Sequence, residues 1–104
     1  MKEFTPRRVP RHPVNWQVSA INGQDLPDSR LVEISVLGAR VETSAPFPPR
    51  TSVVLSIMAP GAETEMRVRA RVAWISAMPN KLSRYQMGVY FLRPNWELEK
   101  LASH

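Results

Sequence analysis

The amino-acid sequence predicts an all-β fold, a six-stranded antiparallel barrel closed on itself, with one short helix near the C-terminal end. Apolar and polar residues alternate in several short runs, which is the pattern of half-buried strands. Turn-forming residues separate these runs, and the chain has ten prolines and four glycines among 104 positions. A helical pattern follows only after the last run. Because closure removes exposed strand edges, we expect the short strands to form a closed barrel.

The first thirteen residues are expected to form a flexible, extended arm ahead of the barrel. Recurrent proline disfavours a helix there, and basic side chains keep the segment in solvent. The residues concerned are Pro6, Pro10, Pro13, Lys2, Arg7, Arg8 and Arg11. We therefore divide the chain into this arm, residues 1–13, and one barrel domain with its helix, residues 14–104, which is an ordinary size for a single domain.

Three strands are predicted in the first half of the barrel domain. The apolar side of the first consists of Val14, Trp16, Val18 and Ala20. A turn at residues 22–23 and a polar loop around residues 27–28 follow, because asparagine, glycine, proline and aspartate favour turns. The second strand is expected over residues 31–35. A very short turn at residues 36–38 then leads into a third strand over residues 39–43, which predicts a tight hairpin.

Two further strands follow a proline-rich break at residues 46–49. The apolar side of the fourth consists of Val53, Leu55 and Ile57. The fifth has the longest alternation. Its predicted inward residues are Met66, Val68, Ala70, Val72 and Trp74, and its predicted outward residues are Arg67, Arg69 and Arg71. Since such alternation is typical of a strand with one buried face, we expect these three arginines, the arginine row, to be solvated.

A sixth strand and a helix complete the predicted fold. The inner side of the strand consists of Met87, Val89 and Phe91. Gly88 between them marks a candidate bulge. The helix is predicted over residues 96–102, with Asn95 as its N-cap. Leu98 and Leu101 form a short apolar stripe by which this helix is expected to pack on the barrel.

The basic composition points to an anionic partner. The formal net charge is +5, and 11 of the 14 basic residues are arginine. The guanidinium group pairs bidentately with phosphate and with the O6/N7 edge of guanine, and it stacks on rings. A coding bias toward arginine accounts for the composition equally well, so the positions of the arginines must decide.

The sequence offers no catalytic or metal-binding constellation. It has no cysteine and two histidines, His12 in the arm and His104. Its carboxylates are scattered, and no glycine-rich phosphate loop occurs. We therefore predict a protein that is not an enzyme and that holds no metal or cofactor. Neither a secretory leader nor an apolar run of about 20 residues occurs, so we expect a cytoplasmic protein without membrane insertion.

The arm contains the first candidate site. Arg7 and Arg11 lie four positions apart in the pattern R-x-x-x-R, with Arg8 beside them. In an extended, polyproline-like segment, such residues are about 12 Å apart. Two guanidinium groups at that separation would grip opposite sides of a dinucleotide-sized anion. A disordered basic tail, weakly attracted to any polyanion, is the competing interpretation.

The predicted hairpin contains the second candidate site, the run EISVLG at residues 33–38. Glu33 and Ser35 share one strand face, where a carboxylate accepts from the N1–H and N2–H groups of guanine and a hydroxyl donates or accepts. Gly38 permits close backbone approach to a ring. An ordinary hairpin, with this glycine in the left-handed position of its turn, accounts for the same residues equally well.

Together these segments resemble the PilZ family, whose signature joins an N-terminal R-x-x-x-R to a downstream D/N-x-S-x-x-G. The two motifs occur here in that order, and the resemblance extends from about residue 7 to residue 92. It includes the Pro13-Val14 entry to the first strand, the run Val72-Ala73-Trp74 and the closing run Met87-Gly88-Val89-Tyr90-Phe91. The resemblance implies a six-stranded PilZ-type barrel that binds cyclic di-GMP, a guanine dinucleotide.

The resemblance also implies roles for individual residues. Arg7 and Arg11 would clasp the phosphates and stack on the guanines, with Arg8 as an auxiliary contact. Ser35 and Gly38 match the second motif, which reads a guanine edge.

Two further positions match the family less closely. Glu33 stands where the family pattern has aspartate or asparagine. Its extra methylene moves the carboxylate outward, so that the hydrogen bond to guanine is kept, weakened or lost. Trp74 stands where some members place a residue beside the ligand, and an inward core position is its competing role.

We therefore expect a bacterial cyclic di-GMP receptor that captures the dinucleotide between the arm and the barrel rim. Ordering of the arm would then signal to an unknown downstream effector protein. Two alternatives stay open. A PilZ-type adaptor that no longer binds nucleotide is motivated by Glu33. A barrel that binds single-stranded nucleic acid along the arginine row is motivated by net charge, but this row lacks the interleaved aromatic residues on which bases stack.

Overall fold

Six strands and one helix follow one another in the computed structural model, which describes residues 9–103. They are β1 His12–Ile21, β2 Gln24–Ile34, β3 Gly38–Thr43, β4 Ser52–Met58, β5 Met66–Ala77, β6 Tyr85–Phe91 and α1 Trp96–Ala102. Neighbouring strands are antiparallel and follow the order β1-β2-β3-β6-β5-β4, with β4 paired back to β1. The predicted closed, all-β barrel with a C-terminal helix is confirmed.

The inward side chains of all six strands form one core. Fully buried members include Val18, Leu31, Ile34, Val41, Leu55, Ile57, Val72 and Met87. The inner faces predicted for β4 and β6 are confirmed, because their alternate apolar residues are all buried. Burial of each such side chain contributes about 1.5–3 kcal/mol relative to exposure, so this core is the main source of stability.

The turn between β1 and β2 is the predicted one. Asn22 and Gly23 have φ angles of 54° and 77°. Positive φ at both central residues is the requirement of the type I′ hairpin turn, which an Asn-Gly pair meets. The Asn22 side chain also accepts a hydrogen bond from Val54 N at 2.8 Å, which ties the turn to β4.

Both strands of this first hairpin are longer than predicted. β1 begins at His12 rather than at Val14, and β2 begins at Gln24 rather than at Leu31. The predicted polar loop around Pro27 is therefore wrong. Pairing passes from Val18 with Ser29 to Ala20 with Asp25, so three residues of β2 stand opposite one of β1. Proline lacks an N–H donor and is tolerated in such a bulge.

The prediction that Trp74 points inward is also wrong. Val72 pairs with Val89 of β6. Trp74, two residues later in β5, pairs with Gly88, which directly precedes Val89. Ala73 is thus an extra residue in β5, a bulge that reverses the alternation beyond it. Trp74 consequently lies on the outer face and is 43% exposed.

The C-terminal helix is attached to the barrel at two points, through Leu98 in the core and through Glu99, which contacts β1. Asn95 is its N-cap, as predicted, and its Oδ1 accepts a hydrogen bond from Leu98 N at 3.0 Å. Leu98 is fully buried, whereas Leu101 is 39% exposed, so the predicted apolar stripe is reduced to one residue. The second attachment joins the helix to β1, where His12 Nε2 lies 2.9 Å from Glu99 Oε2.

No helix within residues 9–103 is long and apolar enough to cross a membrane.

Candidate functional site

Strand register brings the end of the arm to the β2–β3 hairpin. The last pair between β1 and β2 joins His12 to Ile34. Because the strands are antiparallel, Arg11 precedes this pair on one side and Ser35 follows it on the other. Arg11, the last arginine of the predicted arm site, therefore lies beside the predicted hairpin site at one end of the barrel.

A cavity of about 560 Å³ opens on the outer face of the barrel where these segments meet. We call it the outer cavity. Its lining includes five of the predicted site residues, namely Arg11, Glu33, Ser35, Gly38 and Trp74. The other two, Arg7 and Arg8, lie outside the described residues, as does most of the predicted arm. Binding sites for small molecules are typically about 300–1,000 Å³, so the outer cavity has an appropriate size.

Ser35 holds the turn of the hairpin. Its Oγ accepts hydrogen bonds from the backbone N–H groups of Leu37 and Gly38, each at 3.2 Å. The backbone N–H of Ser35 donates to the Gly38 carbonyl at 2.8 Å, which closes the turn. The hydroxyl thus shapes the cavity wall, and its predicted contact with guanine stays a prediction.

Gly38 is required by a close approach and not by a left-handed backbone. Within residues 9–103, the glycines with positive φ are Gly23 and Gly61. Hence the left-handed role considered for Gly38 is wrong. A methyl group on Gly38 would overlap the Val89 carbonyl oxygen and lie 3.1 Å from Tyr90 Cα. The absent side chain allows β3 to pair closely with β6 beside the cavity.

Glu33 is paired with Arg40, an outward residue of β3. Arg40 Nη2 lies 3.8 Å from Glu33 Oε2, and the two side chains are 38% and 32% exposed. Arg40 Nε is buried and has no hydrogen-bond partner among residues 9–103. An unsatisfied buried donor costs about 1–3 kcal/mol, so an acceptor that enters the cavity would recover part of this cost.

A row of directly paired residues crosses four strands along the cavity. Glu33 of β2 pairs with Arg40 of β3, which pairs with Gly88 of β6. Gly88 in turn pairs with Trp74 of β5. A methyl group on Gly88 would overlap the Trp74 indole nitrogen and lie 2.9 Å from Cδ1, so the indole ring lies directly over this glycine. We call this set the cross-strand row.

The outer cavity combines groups that suit an anion with planar rings. Arg11 and Arg40 supply guanidinium donors, Glu33 supplies a carboxylate, and the exposed indole of Trp74 supplies a stacking face. Sequence reasoning did not identify Arg40, Gln86 or Tyr90, which also line the cavity. Alternation along β3 and β6 predicts that these three residues point outward. It does not predict that β3 pairs with β6, which is what brings the residues together.

The arginine row does not line the outer cavity, although Arg71 at its end pairs with Tyr90, which does. Arg67, Arg69 and Arg71 are exposed on β5, as predicted. None of the three lines the outer cavity. Within the described part of the chain, no group of three or more metal-ligating side chains comes together.

A comparison with protein families finds that the PilZ domain model matches residues 5–102, which is nearly the whole sequence. Comparisons with curated proteins and with solved structures found no match. The matched range includes the three arginines of the arm site, the hairpin motif and all six strands.

Proposed function

The chain belongs to the PilZ family, and from this premise we propose that it is a bacterial cyclic di-GMP receptor which binds the dinucleotide in the outer cavity. In this proposal it acts by contact with another protein and not by catalysis. One observation supports it most directly. Arg11, which closes the arm motif, lines the same cavity as Ser35 and Gly38 of the hairpin motif.

The proposed contacts follow from the chemistry of the lining. Arg11, together with Arg7 and Arg8 of the arm, pairs with the phosphates, because a guanidinium fork matches two phosphate oxygens. Trp74 stacks on a guanine through its exposed ring. The hairpin between Ser35 and Gly38 brings backbone close to the ligand.

Calorimetric titration with cyclic di-GMP tests this proposal. The protein in low-salt buffer is expected to give saturable heat, with a Kd in or below the range of tens of micromolar, an affinity of roughly 6 kcal/mol or more. GMP, which has the base but only one phosphate, is the matched control and should bind more weakly. Absence of heat with cyclic di-GMP at tens of micromolar contradicts the proposal.

An adaptor that binds no nucleotide is the second candidate, and one observation favours it. Glu33 replaces the aspartate or asparagine of the family motif and already has Arg40 as a charged neighbour at 3.8 Å. If this pair closes the cavity to guanine, the protein would act through protein contacts alone. A melting temperature unmoved by saturating cyclic di-GMP supports the adaptor, because a ligand that binds the native state raises it.

The signal is proposed to pass by ordering of the arm, residues 1–13, on ligand capture. The structure describes only residues 9–13 of this segment. Since Arg11 lies at the cavity and His12 begins β1, a ligand held by the arm would fix the arm against the rim of the barrel. The altered surface would then be recognised by the effector protein. Unchanged hydrogen exchange in the arm at saturating ligand contradicts this mechanism.

A further inference from the structure

Arg40 occupies a position in the outer cavity that neither motif of the family signature includes. We propose that Arg40 determines specificity for guanine by donating to the O6 and N7 atoms of one base, while Glu33 acts as the residue that positions its guanidinium group. This inference rests on the proposed function, since it concerns a base of the same ligand.

The cross-strand row places Arg40 beside the stacking face. Trp74 lies over Gly88, and Gly88 pairs with Arg40. Adjacent strands are about 4.8 Å apart. A base stacked on the indole therefore has one edge directed toward β3, where Arg40 is the outward residue.

The donor pattern of Arg40 matches guanine. Its Nε has no hydrogen-bond partner among the described residues, and Glu33 lies 3.8 Å from its Nη2. Guanine presents two adjacent acceptors, O6 and N7, to which a guanidinium group donates two parallel hydrogen bonds. Adenine presents N7 next to an N6 amino donor, so the second donor of Arg40 would face another donor.

The glutamate at position 33 fits this arrangement. Glu33 and Arg40 are directly paired across β2 and β3. Their closest charged atoms are 3.8 Å apart, too far for a good hydrogen bond but close enough for attraction. The carboxylate therefore orients the guanidinium group without consuming its donors.

The test removes the N7 acceptor from the ligand and the two adjacent guanidinium donors of Arg40 from the protein. Calorimetry compares cyclic di-GMP with its 7-deaza analogue, which keeps the phosphates and the N1–H and N2–H groups. The proteins are wild type, Arg40→Gln and Arg69→Gln. Arg69 lies in the exposed arginine row and outside the cavity, so its variant controls for the loss of one positive charge.

We expect the wild type to bind the analogue at least about threefold more weakly than cyclic di-GMP, because one of two paired hydrogen bonds is lost. Arg40→Gln should bind cyclic di-GMP at least about fivefold more weakly and should no longer distinguish the two ligands. Arg69→Gln should retain both the affinity and the discrimination.

Equal wild-type affinity for the two ligands overturns the inference, as does discrimination that persists in Arg40→Gln. If Arg40→Gln binds neither ligand or does not fold, Arg40→Lys decides. It keeps the charge without the planar fork, so the ratio of its two affinities should fall below that of the wild type, and a ratio as large as the wild type's overturns the inference. A wild type that gives no heat with cyclic di-GMP refutes the proposed function itself, whereas these other results refute only the role of Arg40.

Discussion

Replacement of Arg11 by alanine is expected to weaken cyclic di-GMP binding at least tenfold. Hydrogen bonds to charged groups contribute about 1.5–3 kcal/mol, which corresponds to a factor of about 10 or more in affinity. Arg11 lines the outer cavity, and its side chain is exposed, so the substitution should leave the melting temperature of the free protein unchanged. Calorimetry and thermal unfolding measure the two quantities.

Arg69→Ala is the matched control for this experiment. It removes the same side chain from the exposed face of β5, outside the cavity. Binding should be nearly unaffected in moderate salt, where long-range attraction between exposed charges is screened. Equal losses in the two variants would mean that general positive charge, and not the geometry of the cavity, attracts the nucleotide.

Replacement of Gly38 by alanine should destabilise the barrel by about 1–3 kcal/mol, the usual cost of excess volume at a closely packed position. The added methyl group would overlap the Val89 carbonyl, and Tyr90 Cα is also close. Both obstacles are backbone, so β3 must move away from β6. Such a loss lowers the melting temperature of a domain of this size by roughly 5 °C or more.

Gly88→Ala is the matched control for stability, because it also replaces a glycine of the barrel by alanine but places the new methyl group against a side chain. Its new methyl group would meet the Trp74 side chain, which is 43% exposed, and an exposed side chain yields more easily than backbone. We expect a cost below about 1 kcal/mol, together with changed tryptophan fluorescence and weaker cyclic di-GMP binding, because the stacking face is displaced. Equal stability losses in both variants would contradict the role assigned to the β3–β6 approach.

The fold was largely predictable because each strand has one buried face, and alternation reports that face directly. Predictions were wrong where bulges interrupt the alternation. Proline disfavours the interior of a strand, yet a bulge places Pro27 opposite β1 without a ladder partner. Alternation along β5 predicts an inward Trp74, but the extra residue Ala73 turns this side chain outward. A bulge depends on how two strands pair, so one strand read alone does not reveal it.

The candidate site residues that belong to a sequence motif were predictable. Those that only the pairing of neighbouring strands brings to the cavity were not. Arg11 and Ser35 were identified from separate motifs, and the β1–β2 register brings them together. Arg40 has no local signal, because alternation marks it only as outward. The role proposed for it depends on its two strand neighbours, Glu33 of β2 and Gly88 of β6. Such relations follow from topology rather than from composition.

Hydrogen exchange with and without saturating cyclic di-GMP tests most directly whether the arm and the hairpin form one binding site. Amides of residues 1–13 and 33–40 are predicted to gain protection together, since both segments contact the same ligand. Residues 67–69, which carry the first two members of the arginine row, should exchange at the same rate in both states and serve as the internal control. Exchange unchanged in the arm and the hairpin, or protection confined to residues 67–69, would contradict the account.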